Sequence, residues 1–110
     1  MLTGSVAMDE GQIGQAAYAA SKAAVAGMTL PAARELARFG IRVVTIAPGV
    51  METEMMAAAS DDVRTTLADS IPFPARFGKP EEFAALAKHV FDNAYLNGCV
   101  LRVDGGIRMR

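Results

Sequence analysis

The sequence predicts an α/β fold built on a parallel sheet, of which these 110 residues form an incomplete part. Segments typical of strands alternate with segments typical of helices, and this alternation indicates parallel strands joined by crossover helices, which are normally right-handed. Only two complete strands are present, whereas a buried parallel strand is normally flanked by other strands and covered on both faces. We therefore expect further strands upstream of this segment.

The first half of the chain is predicted to run from the end of a strand into one long helix. Residues 2–7 form a short segment that suits the end of a strand, and Asp9–Gln12 is typical of a loop. Across Gln15–Phe39, small apolar residues recur at spacings of three and four, which indicates a helix. Pro31 is expected to kink this helix without ending it, and Gly40 to end it.

The second half is predicted to contain two strands separated by helices. Ile41–Ala47 is rich in β-branched residues and bounded by glycine and proline, as expected of a buried strand. Val50–Ser70 is polar and methionine-rich and predicts one or two short helices. A further helix is predicted over Pro80–Asp92, because proline favours the first helical position and acids favour the helix N-terminus. Cys99–Val103 is the second apolar strand, closed by a turn at 104–106.

Composition and charge argue against several classes of protein. Eleven basic and twelve acidic residues give a net charge of −1, and the basic residues are scattered, which argues against nucleic-acid binding. No apolar run approaches the ~20 residues of a membrane span, and residues 1–9 lack the pattern of a signal peptide. Cys99 is the single cysteine and His89 the single histidine, so neither a disulfide framework nor a metal site is expected. We expect a soluble protein of a reducing compartment, the cytoplasm.

Two residues of the long helix predict acid–base chemistry. Tyr18 and Lys22 stand four residues apart and therefore share one helix face. A phenol titrates near pH ~10 when unperturbed, and a lysine ammonium beside it favours the phenolate and lowers that pKa. Ser5, at the end of the first predicted strand, is placed to present its hydroxyl to the same face. On the pair alone, a solvated helix face is an equally good interpretation.

Five motifs extend this pattern along the whole chain. They are Ser5, Tyr18-Ala19-Ala20-Ser21-Lys22, the segment Ile41-Arg42-Val43 with Ile46-Ala47-Pro48-Gly49, Arg76–Glu82 and Val103-Asp104-Gly105-Gly106. In this order they resemble the short-chain dehydrogenase/reductase family, and residues 1–110 resemble the C-terminal half of such a domain. The resemblance implies a Rossmann-like, doubly wound parallel sheet without its N-terminal strands and without the glycine-rich turn that receives the pyrophosphate of the cofactor.

The resemblance also implies roles for individual residues. Tyr18 matches the tyrosine that exchanges a proton with the substrate oxygen, Lys22 the lysine that lowers the tyrosine pKa and binds the nicotinamide ribose, and Ser5 the serine that holds the substrate oxygen. Besides Tyr18 and Lys22, the cofactor is expected to contact Pro48, Gly49, Val50 and Thr53. Besides Ser5, the substrate is expected to contact Gln15, Met51, Met55 and Met56. The methionines suit a flexible apolar wall, although ordinary core methionines are an equally good interpretation.

Within the family, residues 72–76 and the ending 96–109 resemble the type-2 3-hydroxyacyl-CoA dehydrogenases, also called type-10 17β-hydroxysteroid dehydrogenases. Gly27–Pro31 and Val44-Thr45 depart from the commoner family pattern, which has Asn-Ala at the latter pair. The resemblance to these dehydrogenases implies hydride transfer between a secondary alcohol carbon and nicotinamide C4, in fatty acid metabolism. The implied cofactor is NAD, with NADP as the alternative, the substrate is an acyl-CoA or similar small molecule, and the assembly is a homodimer or homotetramer.

Two alternatives stay open at this point. A 3-ketoacyl carrier-protein reductase that uses NADPH shares every core motif, and a non-catalytic association module would pack on other chains through the long helix and the last strand. Because the glycine-rich turn is absent from these residues, the 110-residue chain alone is expected to have little or no activity.

Overall fold

The computed structural model describes residues 1–109, which form a three-stranded parallel sheet flanked by helices. The strands are β1 (Leu2–Thr3), β2 (Thr45–Pro48) and β3 (Val100–Val103), in the spatial order β1-β2-β3. The helices are α1 (Ala7–Glu10), α2 (Ala16–Leu36), α3 (Glu54–Ala57), α4 (Asp61–Asp69) and α5 (Pro80–Asp92). The predicted α/β alternation is thus confirmed.

The long helix is confirmed and continues through Pro31. Its last residues tighten into a 3-10 turn, Ala37–Phe39, and Gly40 follows with a φ of 69°. One or two short helices were expected within 50–70, and two are present, α3 and α4, while α5 has the predicted bounds. None of the helices within residues 1–109 is both long and apolar enough to cross a membrane.

The predicted loop over Asp9–Gln12 is wrong for its first two residues, which belong to α1. The carbonyl of Ser5 accepts from the N–H of Met8, and the carbonyl of Val6 accepts from the N–H groups of Asp9 and Glu10. The backbone therefore closes a helical turn directly after β1, and the strand itself ends at residue 3. This turn carries the segment after Ser5 back towards α2.

The second strand begins four residues later than predicted. The guanidinium of Arg42 donates to four backbone carbonyls at and beyond the end of α5, those of Val90, Phe91, Asn93 and Leu96. The N–H of Val43 donates to the side-chain oxygen of Asn97 at 2.8 Å. Because these groups bind the end of α5 and the segment after it, the continuous strand pairing starts only at Thr45.

Helices α2 and α5 lie on opposite faces of the sheet. Thr45 contacts Thr29 of α2, whereas Val44 and Ile46 pack on Val90 of α5. Since successive residues of a strand point to opposite faces, both faces are covered, as expected of a doubly wound sheet. The crossover with α2 leads from β1 to β2 and the crossover with α5 leads from β2 to β3, so both advance in the same direction across the sheet. Because the two helices lie on opposite faces, the two crossovers have opposite hands. The expectation of two right-handed crossovers is wrong, because the long segment carrying α3 and α4 takes the chain to the other face before α5.

Candidate active site at the carboxyl ends of the strands

The carboxyl ends of the three strands are joined by backbone hydrogen bonds. The N–H of Val6, next to Ser5, donates to the carbonyl of Pro48 at 3.1 Å, and the N–H of Gly49 donates to the carbonyl of Val103 at 3.0 Å. Ser5 and the Pro48-Gly49 turn therefore lie at the same edge of the sheet. This is the edge at which open parallel α/β sheets bind their ligands.

Tyr18 and Lys22 share one face of α2, as predicted. The Nζ atom of Lys22 lies 5.7 Å from the centre of the Tyr18 ring and donates to the backbone carbonyl of Thr3 at 3.2 Å. The N–H groups of Leu2 and Gly4 donate to carbonyls of β2 and of the residue just before it. The backbone groups of Thr3 therefore point to the opposite side, because alternate residues of a strand direct these groups to opposite sides. Lys22 thus reaches the outer edge of β1, two residues before Ser5.

Ser5 is buried, with 8% of its surface exposed, and the helix that follows it, α1, packs on α2. Its Oγ atom accepts from the N–H of Ala7 at 3.1 Å, which leaves the hydroxyl proton to be donated to a ligand. A Cβ atom on Gly11 would lie only 2.7 Å from the Cβ of Ala19, the neighbour of Tyr18. Glycine at position 11 is therefore needed for the chain after α1 to approach α2 this closely.

Two further predicted site residues cap local structure. The Oε1 atom of Gln15 accepts from the N–H of Gln12 at 3.0 Å, in the loop just before α2. The Oγ1 atom of Thr53 accepts from the N–H of Met56 at 3.4 Å and so caps α3. Each side chain still has donor hydrogens that these bonds do not use, the amide hydrogens of Gln15 and the hydroxyl hydrogen of Thr53. Their roles towards cofactor and substrate stay predictions.

The three methionines occupy different environments. Met51 pairs through its backbone with Gly78 and lines a cavity of about 220 Å³. Met55 is 83% exposed, and Met56 packs on the apolar cluster centred on Ile107. Core packing is thus the observed environment of Met56, whereas the proposed flexible substrate wall remains a prediction for Met51 and Met55. The full lining of the cavity is Val50, Met51, Pro74, Arg76, Gly78, Glu82, Val103, Asp104 and Gly105.

The cavity contains an ion pair that explains the spacing of the Arg76–Glu82 motif. The guanidinium of Arg76 donates two parallel hydrogen bonds to the carboxylate of Glu82, at 2.8 and 3.0 Å. The same carboxylate accepts from the N–H of Lys79 at the start of α5, at 2.7 Å. The bonds from Arg76 and then from Lys79 lower the pKa of Glu82 to about 2. This part of the motif therefore fastens the loop before α5 to the first turn of that helix.

A second charged cluster was missed by the sequence prediction. Arg102 in β3 donates to Glu10 of α1 at 2.9 Å and to Asp104 at 2.7 Å, and the N–H of Met109 donates to Glu10 at 2.9 Å. Burial alone would raise the pKa of Glu10 and of Asp104, but the hydrogen bonds and charge of Arg102 and the backbone donors lower both on balance. The partners lie about 90 residues apart in the chain, so no local pattern could have indicated them.

The described residues offer no metal centre. Within residues 1–109, no three histidine, cysteine, aspartate or glutamate side chains are grouped closely enough to hold a metal ion. The two charged clusters described above are instead arginine–carboxylate pairs.

The chain is similar over almost its whole length to known proteins. It is 60% identical over 107 residues to 3-hydroxyacyl-CoA dehydrogenase type-2 of Drosophila melanogaster, an alignment that covers 97% of this chain and 42% of the relative. It is 43% identical over 108 residues to the 3-oxoacyl-[acyl-carrier-protein] reductase of Vibrio cholerae, which covers 96% of this chain and 44% of that relative.

A solved structure shows the same fold. The crystal structure of 3-hydroxyacyl-CoA dehydrogenase type-2 from Mycobacterium avium matches with a TM-score of 0.92 and 51% identity, over 99% of this chain and 41% of that one. The chain therefore spans about two fifths of the length of the relatives it matches. Its sheet is part of a Rossmann-like fold.

The family match agrees with the geometry of the strand ends. The family model described as enoyl-(acyl carrier protein) reductase, which is of the short-chain dehydrogenase/reductase type, matches residues 1–108. This match includes β1, the Tyr18 and Lys22 face of α2 and the end of β3. The chain belongs to the short-chain dehydrogenase/reductase family.

Proposed function

We propose that the intact protein, meaning the polypeptide at its natural length that carries these residues, interconverts a secondary alcohol and a ketone. The proposed substrates are 3-hydroxyacyl-CoA and 3-ketoacyl-CoA thioesters, by analogy with the relatives named 3-hydroxyacyl-CoA dehydrogenase type-2. The observation that carries the proposal is the contact of Lys22 with both the Tyr18 ring and the end of β1, beside Ser5.

The residues present fit one end of a nicotinamide cofactor. Lys22 uses one N–H on the carbonyl of Thr3, which leaves two donors for ribose hydroxyls. Gly49 and Val50 follow the end of β2, and the Thr53 hydroxyl lies three residues further along the same segment. These groups suit the nicotinamide and its ribose. The glycine-rich turn for the pyrophosphate is not among residues 1–110, and either NAD or NADP is compatible with what is present.

In the proposed mechanism, the protein residues handle the proton and the substrate oxygen. Ser5 donates its hydroxyl hydrogen to that oxygen, and Tyr18 gives it a proton during ketone reduction or takes one during alcohol oxidation. The positive charge of Lys22 stabilises the phenolate that remains on Tyr18 after reduction. The cofactor, when bound, supplies the hydride to the carbon or accepts it.

The proposal is tested by removing one hydroxyl group. Tyr18→Phe in the intact protein should lower the rate of NADH-dependent acetoacetyl-CoA reduction about 10²–10⁴-fold, because general acid catalysis is lost. Tyr95→Phe is the matched control, since Tyr95 is 98% exposed and lies after α5, away from the strand ends. A Tyr18→Phe protein that reduced acetoacetyl-CoA as fast as the parent would refute the proposal.

One specific observation supports a second candidate within the same chemistry. The 43% identity to a 3-oxoacyl-[acyl-carrier-protein] reductase favours a carrier-protein reductase that uses NADPH. Comparing the rates with NADH and NADPH, on acetoacetyl-CoA and on an acyl carrier-protein thioester, separates the two. A non-catalytic association module would show no turnover with any of the four combinations.

Assembly into a homodimer or homotetramer is part of the proposal. One side of α2 exposes small residues that permit close approach of another helix: Ala16, Ala20, Ala23, Ala24 and Gly27. Sedimentation of the intact protein tests this, and a monomer at micromolar concentration would contradict it.

A further inference from the structure

A buried pair of hydroxyl groups joins α2 to the sheet. The Oγ1 atoms of Thr29 and Thr45 lie 2.6 Å apart, and both residues are at most 1% exposed. Thr29 also donates its hydroxyl hydrogen to the carbonyl of Val25 at 3.1 Å. A hydroxyl has only one hydrogen to donate, so Thr45 is the donor in the pair and Thr29 is the acceptor.

The methyl group of Thr45 contacts the segment that carries Ser5. A Cβ atom on Gly4 would lie 3.0 Å from the Cγ2 of Thr45, closer than ordinary van der Waals contact, while its next neighbours would be 3.6 and 3.8 Å away. Gly4 stands between Thr3, whose carbonyl binds Lys22, and Ser5. One side chain of β2 therefore contacts both pieces of the chain on which the proposed catalytic residues stand.

The attachment to α2 lies on the same stripe of the helix as the proposed catalytic pair. Thr29 follows Lys22 by seven residues and Tyr18 by eleven, which is roughly two and three turns at about 3.6 residues per turn. A helix is stiff over this distance. Fixing Thr29 against β2 therefore sets the rotation and the axial position of Tyr18 and Lys22.

We propose that Thr45 is a positioning residue that sets the distance between Ser5 and the Tyr18–Lys22 face. Its hydroxyl bonds to α2 and its methyl group packs on Gly4. The two chain segments that carry the proposed catalytic residues are therefore both held by one residue of the central strand. The inference rests on the proposed function for its kinetic consequence, but its structural consequence is independent of any activity. Thr45 touches no reacting atom itself.

The first test separates positioning from stability. Thr29→Val leaves the Thr45 hydroxyl as a buried donor without its partner and should lower stability, whereas Thr29→Val with Thr45→Val replaces both hydroxyls by methyl groups and should restore most of it. In the intact protein we expect the double variant to unfold at nearly the parental urea concentration. We also expect its kcat for acetoacetyl-CoA reduction to fall about 10-fold or more and its KM for NADH to rise, since small misplacements of catalytic groups are costly and Lys22 also carries the ribose donors.

The second test uses steric compensation. Gly4→Ala adds a methyl group against the Cγ2 of Thr45, and Thr45→Ser removes that Cγ2 while keeping the hydroxyl. We expect Gly4→Ala alone to lower kcat and the combined Gly4→Ala/Thr45→Ser variant to recover it to within about 3-fold of the parent. A combined variant no more active than Gly4→Ala would count against the proposal.

A structural measurement distinguishes failure of this inference from failure of the proposed function. In a crystal structure of the double valine variant, the distance from Lys22 Nζ to the carbonyl of Thr3, now 3.2 Å, should lengthen beyond hydrogen-bonding range. An unchanged distance, or parental kcat at parental stability, overturns the positioning role. An inactive parent protein would overturn the proposed function alone and leave this distance as the deciding measurement.

Discussion

At the scale of single residues, Lys22 makes contacts of two kinds with one ammonium group. The approach to the Tyr18 ring was predictable, because a spacing of four places two side chains on one helix face. The bond to the carbonyl of Thr3 was not predictable, since a backbone acceptor leaves no mark in the sequence and its position depends on how α2 packs on β1. The Thr29–Thr45 pair escaped prediction for a related reason, because its partners lie on different elements. The sequence thus indicates candidate site residues, but not the contacts that place them.

Removing the ammonium group should impair both catalysis and cofactor binding. We predict that Lys22→Met in the intact protein lowers kcat for acetoacetyl-CoA reduction about 10²-fold or more and raises KM for NADH, because phenolate stabilisation and the ribose donors are lost together. Steady-state kinetics with both substrates varied measure the two effects. Lys88→Met, on the exposed side of α5, is the control and should match the parent. Parental kinetics in Lys22→Met would contradict the assigned role.

At the scale of elements, the long helices were predicted better than the strands and the four-residue helix α1. The bounds of α2 and α5 follow from local signals, namely alanine spacing, Pro80 and the acids after it. The start of β2 was predicted too early because β-branched residues indicate only that a segment suits a strand, whereas pairing requires a partner. Arg42 and Val43 find their partners at the end of α5 instead. The hand of the crossovers depends on the path of the chain through α3 and α4, which the alternation of elements does not encode.

Arg42 is expected to contribute to stability at the end of α5. Its guanidinium donates to four carbonyls there, and cations are favourable at a helix C-terminus. We predict that Arg42→Met lowers the free energy of unfolding by about 2–3 kcal/mol, as expected for loss of hydrogen bonds to a charged group. Urea denaturation followed by circular dichroism measures this. Arg34→Met, on an exposed position of α2, should change it by less than about 0.5 kcal/mol.

At the scale of the whole molecule, the Arg102 cluster connects the first helix with the last residues of the described chain. Arg102 binds Glu10 and Asp104, and Glu10 in turn binds the N–H of Met109. Residues near the start and near the end of the described chain are therefore held together. The resemblance predicted the family and the region of the fold, because its motifs follow in order. It could not predict this cluster, since arginine and glutamate about 90 residues apart carry no signal of contact.

The cluster predicts a specific pH dependence of stability. The pKa values of Glu10 and Asp104 are held below their usual values of 4.5 and 3.8, so the folded state binds fewer protons than the unfolded state at mildly acidic pH. This stabilisation is present above about pH 5 and is lost as the pH falls through the lowered pKa values. Glu10→Gln should therefore flatten the fall in stability between about pH 5 and 3. Glu35→Gln, exposed on α2, should retain the parental slope in the same denaturation series.

Residues 1–110 alone should bind the cofactor weakly. The donors near Tyr18 and Lys22 suit the nicotinamide riboside, but the glycine-rich turn for the pyrophosphate is not in this segment. We predict a dissociation constant for NADH well above micromolar in a fluorescence titration of the isolated 110 residues. Micromolar binding by the isolated segment would contradict this expectation.

Within residues 1–109, β1 pairs on one side only, with β2. An unsatisfied strand edge is a template for adding another strand from any chain that offers one. On this edge, the carbonyl of Thr3 is bound by Lys22. Purified samples of this segment should therefore self-associate and lose solubility as concentration rises, and a short apolar peptide added in excess should compete with that aggregation.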